Sequence, residues 1–224
     1  ESDLAEYKDK WDDPAFNSDA IKKWEKKGRN GVLHYTSHPS PRAAYAAMIS
    51  HMDRNVGNLM TELERHGIAD DTLFIFTSDN GTTFTGGVDR KFFNSLGKLS
   101  GVKMQLGEGG IRVPFVARWP GKIKANSISD HISAAWDMLP TFCEMAGASV
   151  PISTDGISML AELTGKTQKK HRFLYWEYTS KGGQQAVRMG KWKGYRRGVS
   201  KSLDIKLYNL EDDISESKDL AGQY

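Results

Sequence analysis

The sequence predicts an α/β fold, a mostly parallel sheet flanked by helices, with a small antiparallel β-rich subdomain after about residue 165. Three observations predict it. From Pro41 onward, Tyr45, Met48, Ile49, Met52, Val56, Leu59, Met60 and Leu63 fall at three- and four-residue steps, which places them on one helix face. Soon afterwards Thr72-Leu-Phe-Ile-Phe76 forms a continuous apolar, β-rich run, as expected of a strand buried on both faces. Beyond Gly165 the texture changes to short strand-like runs at Phe173–Tyr178, Gln185–Met189, Lys191–Tyr195 and Ile205–Tyr208. Long helix, short loop and buried strand make the unit of a parallel α/β sheet.

Taken in order, residues 1–41 show no sustained apolar period and carry an exposed run at Lys22, Lys23, Lys26 and Lys27. They read as an irregular excursion with one short helix near 18–27. The helix that follows runs about six turns and stops at Gly67. After the strand, residues 81–110 are Gly-rich and polar, too long for an ordinary connection, and such loops are usually functional. Val113-Pro-Phe-Val-Ala-Arg118 reads as a second buried strand, closed by the turn Trp119-Pro-Gly-Lys122. Asp137 is placed to cap a helix whose first turn accepts Pro140 and whose end is Gly147. A polar tail starts at Glu211. Two domains follow from this reading, residues 1–165 and residues 166–224.

The chain has 224 residues and a mass of 25.0 kDa, with 38% hydrophobic and 26% charged residues. That composition excludes collagen-like, coiled-coil and disordered chains, and the length supports a core without staples. One cysteine, Cys143, excludes an internal disulfide framework and a multi-Cys zinc site; its helical setting marks it as a core thiol. No run of about 18 apolar residues is present to form a membrane-spanning helix. The net charge of +3 is uneven: residues 1–165 hold 18 Lys/Arg against 21 Asp/Glu, and residues 166–224 hold 13 against 7. Lys191, Lys193, Arg196, Arg197, Lys201 and Lys206 interleave with Trp192 and Tyr195. Such a stretch suits sulfated sugars, phosphates or nucleic acid, or is simply the solvated face of a hairpin.

The first strand delivers Thr77-Ser78-Asp79-Asn80-Gly81 to the carboxyl end of the sheet, where ligands of open α/β sheets bind. Asp79 and Asn80 are adjacent hard oxygen donors suited to calcium or magnesium, though two donors do not complete a site. The same triplet also suits an Asx turn. Downstream, Lys103 could hold an anionic oxygen as a compact charge. Glu108 and Arg112 lie four apart; Gly109 and Gly110 argue against a helix there, so an ion pair pinning the loop is expected. The histidines at 34, 38, 51, 66, 131 and 171 match no catalytic pattern and read as surface or core residues.

Ala43–Asp53, Thr72–Gly81 and Lys103-x-x-x-x-Glu-Gly-Gly-Ile-Arg-Val-Pro114 together resemble the C-terminal portion of a type I, formylglycine-dependent sulfatase of the alkaline phosphatase superfamily. Trp119–Lys122, Asp137–Thr141, Asp155–Ser158 and Leu207–Asp213 continue the likeness from about residue 40 to the end. The resemblance implies an alkaline phosphatase-like sheet and a sulfuric ester hydrolase, with calcium held by Asp79 and Asn80 and the substrate sulfate met by Lys103. It implies a formylglycine nucleophile made from Cys/Ser-x-Pro-x-Arg, which this chain lacks. Ser37-His-Pro-Ser-Pro-Arg42 has its arginine one position late, and the paired N-terminal aspartates are also absent. The implied partners are the N-terminal half of the enzyme and a sulfated small molecule or glycan, not a nucleic acid or a membrane. The implied location is periplasmic or secreted. Thr82 and Thr83 stand where relatives often carry a histidine. Trp176, Glu177 and Trp192 are candidates for stacking and polar contacts with a glycan, or for core positions. Two alternatives stand beside this reading: a non-catalytic calcium- or glycan-binding fragment, and a phosphatase or phosphonate hydrolase of the same superfamily.

Overall fold

A computed structural model describes residues 2–16, 37–83, 85–151, 153–180 and 182–224. The helix expected near 18–27, and His34, lie outside the described residues. Contacts divide the chain into two compact units, Glu1–His66 with Thr82–Gly97, and Gly67–Gly81 with Lys98–Tyr224.

The first unit is built on two helices. α1, Ser2–Tyr7, went unread in the sequence although Leu4, Tyr7 and Trp11 are spaced for one face. α2, Pro41–Arg65, is the long helix, with Pro41 in the first turn, where its missing N–H costs nothing. It ends at His66, and Gly67 takes φ +68°, the left-handed conformation that suits glycine. Ser40 does not cap α2. Asp13 does: its two carboxylate oxygens accept the N–H groups of Arg42 and Ala43, each at 2.9 Å. Arg42 then pairs with Asp89 at 2.7 Å and lies 4.2 Å from the Phe92 ring centre. Trp11, Tyr45, Phe92 and Phe93 pack edge-to-face or tilted, with ring centres 4.9–6.1 Å apart. The apolar stripe of α2 remains largely at the surface of this chain. Ala43 and Ala47 are buried, whereas Met48 is 69% exposed and Ile49, Met52 and Leu59 are exposed too. α1 has six residues and meets α2 from the side, with Tyr7 hydrogen-bonded to Ser50 at 2.7 Å and Asp3 paired with Arg54.

The second unit begins with a 3₁₀ turn, Ala69–Asp71, and strand β1, Phe74–Thr77. A single-turn helix α3, Glu108–Ile111, precedes strand β2, Phe115–Arg118. β1 and β2 pair antiparallel, from Phe74↔Arg118 to Thr77↔Phe115. The expected fold class stands, but this pair differs from the parallel unit read from the sequence. The strands are half-buried to exposed rather than buried on both faces, with Val116 at the surface. Continuous apolar runs cannot tell a parallel from an antiparallel neighbour; that depends on where the next strand's chain returns. The Trp119–Lys122 turn forms as expected, and the Trp119 indole N–H donates to the Asp70 carbonyl at 2.8 Å, tying the two strand ends.

A second 3₁₀ turn, Ala135–Asp137, runs into α4, Met138–Ala146, which ends at Gly147 with φ +64°. Asp137 stands at the N-cap position of α4 as expected, but its side chain makes no cap bond there. Its backbone is already helical, and its carboxylate reaches back to the N–H of Ala134 at 2.8 Å. Cys143 lies on α4 as a free, half-buried thiol, less enclosed than expected. After α5, Leu160–Leu163, come β3, Leu174–Tyr178; β4, Gln184–Met189; β5, Trp192–Arg197; and β6, Lys206–Asn209. They form an antiparallel meander in chain order, matching the four expected strands to within one or two residues. The core of this sheet is Ala186, Tyr195, Tyr208 and Leu210, and Leu106 from the Gly-rich loop packs into it.

Candidate functional site

Because β1 and β2 run antiparallel, the end of β1 lies beside the start of β2. That places the turn Ser78–Gly81 next to the segment entering β2, and the Thr77 hydroxyl donates to the Pro114 carbonyl at 2.9 Å. The Gly81 N–H donates to the Gly110 carbonyl at 2.9 Å. A β-carbon on Gly81 would fall 1.8 Å from the Gly109 carbonyl oxygen, so no side chain fits. Gly110 in turn is backed by the Val102–Gln105 turn: a β-carbon there would lie 2.0 Å from the Gln105 oxygen and 2.6 Å from that of Val102. Lys103 is carried on this turn, half-buried, followed by Met104 at φ +68°. Asp79, Asn80 and Lys103, far apart in sequence, thus sit on layers of backbone that touch through Gly81 and Gly110.

The Asp79 carboxylate is exposed and accepts from the Ser78 hydroxyl at 3.5 Å. It makes no Asx-turn bond among the described residues, and the turn is closed instead by Ser78 Oγ donating to the Asn80 carbonyl at 3.0 Å. Asn80 Nδ2 donates to the Gly81 carbonyl at 2.9 Å, so the amide oxygen is the Asn80 side-chain atom suited to a cation. An open carboxylate and an amide oxygen suit a hard cation, and they supply two of the six to eight oxygens calcium takes. No group of three or more His, Cys, Asp or Glu side chains that could hold a metal ion occurs among the described residues. The donor set fits part of a hard-cation site.

The loop is fastened from below. Gln184 accepts the Leu106 N–H at 3.3 Å and donates to the Met104 carbonyl at 2.9 Å, while the Tyr195 hydroxyl donates to the Gln184 oxygen at 2.6 Å. Burial pushes the Tyr195 phenol up, keeping it a neutral donor. Glu108 opens α3, a helix that Gly109 and Gly110 had argued against. Those glycines serve close backbone approach, which overrides their poor helix propensity. The expected Glu108–Arg112 pair exists at 3.9 Å, but Glu108 has a nearer partner, Lys193, at 2.8 Å. Lys193 is 0% exposed, so it does not belong to a basic surface stretch. Strand alternation puts it on the inward face with Tyr195.

Glu216 completes this cluster, at 2.9 Å from Lys193, and comes from the segment read as a polar tail. It is delivered by a tight turn organised by Asp213, whose carboxylate accepts from Ser215 Oγ at 2.6 Å and from the N–H groups of Ser217 and Lys218 at 2.7 and 2.8 Å. These donors hold the Asp213 carboxyl at about 2, below its ordinary 3.8. A lowered value means the charged form supports the fold above pH 4, and that support fades as pH falls through about 2. Asp213→Asn should therefore lower the urea midpoint at pH 7, with the gap to the parent chain closing between pH 4 and pH 2. A gap that persists at pH 2 would rule out this source.

A cleft of about 480 Å³ lies at the other end of the sheet, lined by His131, Glu162, Lys170, His171, Arg188 and Lys191 among others. Beneath it Asp137, 1% exposed, accepts from His171 Nε2 and from the Ile157 N–H, both at 2.8 Å. Sequence reasoning left His171 without a role. Its imidazole is bound to Asp137 in the core.

The family model for Sulfatase matches residues 4–148, and the model for N-sulphoglucosamine sulphohydrolase, C-terminal, matches residues 103–224. The chain belongs to the sulfatase family. The family match reaches further toward the N-terminus than residue 40, into α1. Arylsulfatase G of Rattus norvegicus is 31% identical over 212 residues, 82% of this chain and 40% of the relative. N-acetylglucosamine-6-O-sulfatase of Bacteroides thetaiotaomicron is 30% identical over 218 residues, 95% of this chain and 35% of the relative. The crystal structure of Ps i-CgsB in complex with k-i-k-neocarrahexaose superposes with a TM-score of 0.71 at 30% identity, covering 93% of this chain and 43% of that one. The sulfatase chain thus spans about 40% of the length of the relatives it matches. Trp176 of this sulfatase chain is half-buried, packs against the sheet core and lies 5.8 Å from Trp136, centre to centre. Trp192 stacks edge-on with Tyr224 at 5.0 Å. Glu177 accepts from Gln185 and Tyr175.

Proposed function

We propose that this chain supplies part of the calcium and sulfate site of a sulfuric ester hydrolase acting on sulfated glycans, without supplying the formylglycine nucleophile. The observation that carries the reading is the Gly81–Gly110 clasp, which joins the Asp79-Asn80 turn to the loop that bears Lys103. Asp79 brings a full negative charge and Asn80 a neutral oxygen to the cation. When bound, calcium supplies positive charge that offsets the negative charge growing on the sulfuryl oxygens. Lys103 contributes a second, protein-borne positive charge to a sulfate oxygen, and its half-buried position strengthens that attraction relative to open water. The attacking oxygen and the remaining metal ligands come from the part of the enzyme outside this chain. A glycan substrate is supported by the relative named N-acetylglucosamine-6-O-sulfatase and by the k-i-k-neocarrahexaose complex of the similar structure.

The test joins this chain to a formylglycine-bearing N-terminal portion and follows an aryl sulfate and a 6-O-sulfated glucosamine. The assembled enzyme should turn both over, and this chain alone neither. Asp79→Ala should remove calcium and reduce turnover by about 100-fold or more, the size of effect seen on losing a preorganised charge. Unchanged calcium content and turnover in Asp79→Ala would refute the assignment.

A further inference from the structure

The C-terminal sheet carries a buried cluster that stands directly behind the proposed site and takes no part in its chemistry. Lys193 Nζ sits 2.8 Å from Glu108 Oε1 and 2.9 Å from Glu216 Oε1, and all three side chains are almost wholly enclosed. The second oxygen of Glu216 accepts the Glu108 N–H at 2.7 Å and the hydroxyl of Ser100. The second oxygen of Glu108 faces Arg188 at 3.5 Å. Glu216 Oε1 has no hydrogen bond of its own among the described residues, so Lys193 is the cation that neutralises it. Well-packed apolar side chains would fill the same space with equal or greater stability. The cluster instead joins three separate segments, β5, the 213–218 turn and α3, through named atoms.

We propose that Lys193 and Glu216 are positioning residues for the site, setting α3 so that Gly109 and Gly110 receive the Asp79–Gly81 turn and back the Lys103 turn. This inference rests on the reading of Asp79, Asn80 and Lys103 given above. The path is short and continuous. Lys193 and Glu216 hold Glu108 by side chain and by N–H. Gly109, next in sequence, donates to the Ser100 carbonyl at 2.5 Å, and Gly110 accepts from Gly81. Losing Lys193 leaves two carboxylates facing each other in a dry space, with Arg188 and Arg112 as the remaining cations near Glu108. Losing the charge of Glu216 as well leaves only Glu108, which those arginines can satisfy.

Amide hydrogen exchange on the whole 224-residue chain reads this directly, because local opening is resolved segment by segment. Lys193→Met should speed exchange in residues 78–82 and 100–111 by about ten-fold or more, with Met138–Ala146 unchanged. The double variant Lys193→Met, Glu216→Gln should return those segments toward the parent rate. A uniform rise that includes Met138–Ala146 would show ordinary loss of stability and overturn the proposal. So would unchanged exchange at 78–82 in a folded Lys193→Met chain. Should Lys193→Met not fold, Glu216→Gln carries the same comparison: a rise confined to 78–82 and 100–111 supports the proposal and its absence overturns it. The readout is independent of metal and substrate. A failed coupling leaves the calcium test of Asp79→Ala standing, and a failed calcium test leaves the coupling measurable.

Discussion

Gly81→Ala is expected to lower turnover of the assembled sulfatase by about 100-fold or more while altering no side chain that meets metal or substrate. The added β-carbon would lie 1.8 Å from the Gly109 oxygen, 2.7 Å from the Gly109 carbonyl carbon and 2.9 Å from the Gly110 α-carbon. All three are backbone atoms, so no flexible side chain can swing aside. Ordinary contact requires the turn to retreat by more than an ångström, and the 2.9 Å bond from Gly81 to Gly110 is lost with it. A shift of about 1 Å in a positioned group is enough to cost two orders of magnitude in rate. The fold should survive at a cost of about 1–3 kcal/mol, as for other overpacked positions. Steady-state kinetics on aryl sulfate and urea unfolding of the chain check the two halves. Gly57, on the open face of α2 with nothing within 4 Å, is the control at which alanine should leave turnover intact. Near-normal turnover in Gly81→Ala would mean that the turn does not need the clasp.

The parts of this site that the sequence makes legible are those coded over a few neighbouring residues. The α2 stripe, the Trp119–Lys122 turn, the Gly147 stop and the four C-terminal strands each follow from a local period or a turn residue. The clasp could be anticipated only as a Gly-rich segment, because a glycine kept for close approach looks the same as one kept for flexibility. Two contacts could not be read locally, because the partner lies far along the chain. Asp13 caps α2 from 29 and 30 residues away. Glu216 reaches Glu108 across 108 residues. Lys193 was assigned to a basic surface stretch because Lys191 and Arg196 flank it. The missed signal was available in the period of two, which sets Lys193 on the same face as Tyr195 and opposite Trp192. The antiparallel pairing of β1 with β2 was hidden more deeply, since apolar runs carry no direction.

Asp137→Ala should strongly destabilise the second unit, by about 3–5 kcal/mol, because it strips one acceptor from three donors at once. The carboxylate is 1% exposed and holds three donors: the N–H of Ala134, the N–H of Ile157 and the His171 ring, each at 2.8 Å. The Asp137 carbonyl takes a fourth, the Thr141 hydroxyl at 2.6 Å, which itself accepts the Met159 N–H at 2.9 Å. One residue therefore joins the start of α4, the Gly156–Met159 segment and the approach to β3. Alanine would leave three part-buried donors without their acceptor, each costing up to about 1–3 kcal/mol, and the losses overlap because the groups can relax together. Asp137→Asn keeps the shape and one acceptor oxygen but turns an N–H₂ toward a donor, so a smaller loss of about 2 kcal/mol is expected. His171→Phe removes a single donor and should cost less than either, since the Ala134 and Ile157 bonds remain. The order Ala, then Asn, then His171→Phe is the content of the prediction, read from urea midpoints of the 224-residue chain. If His171→Phe were as damaging as Asp137→Ala, the histidine rather than the carboxylate would be the hub of this core.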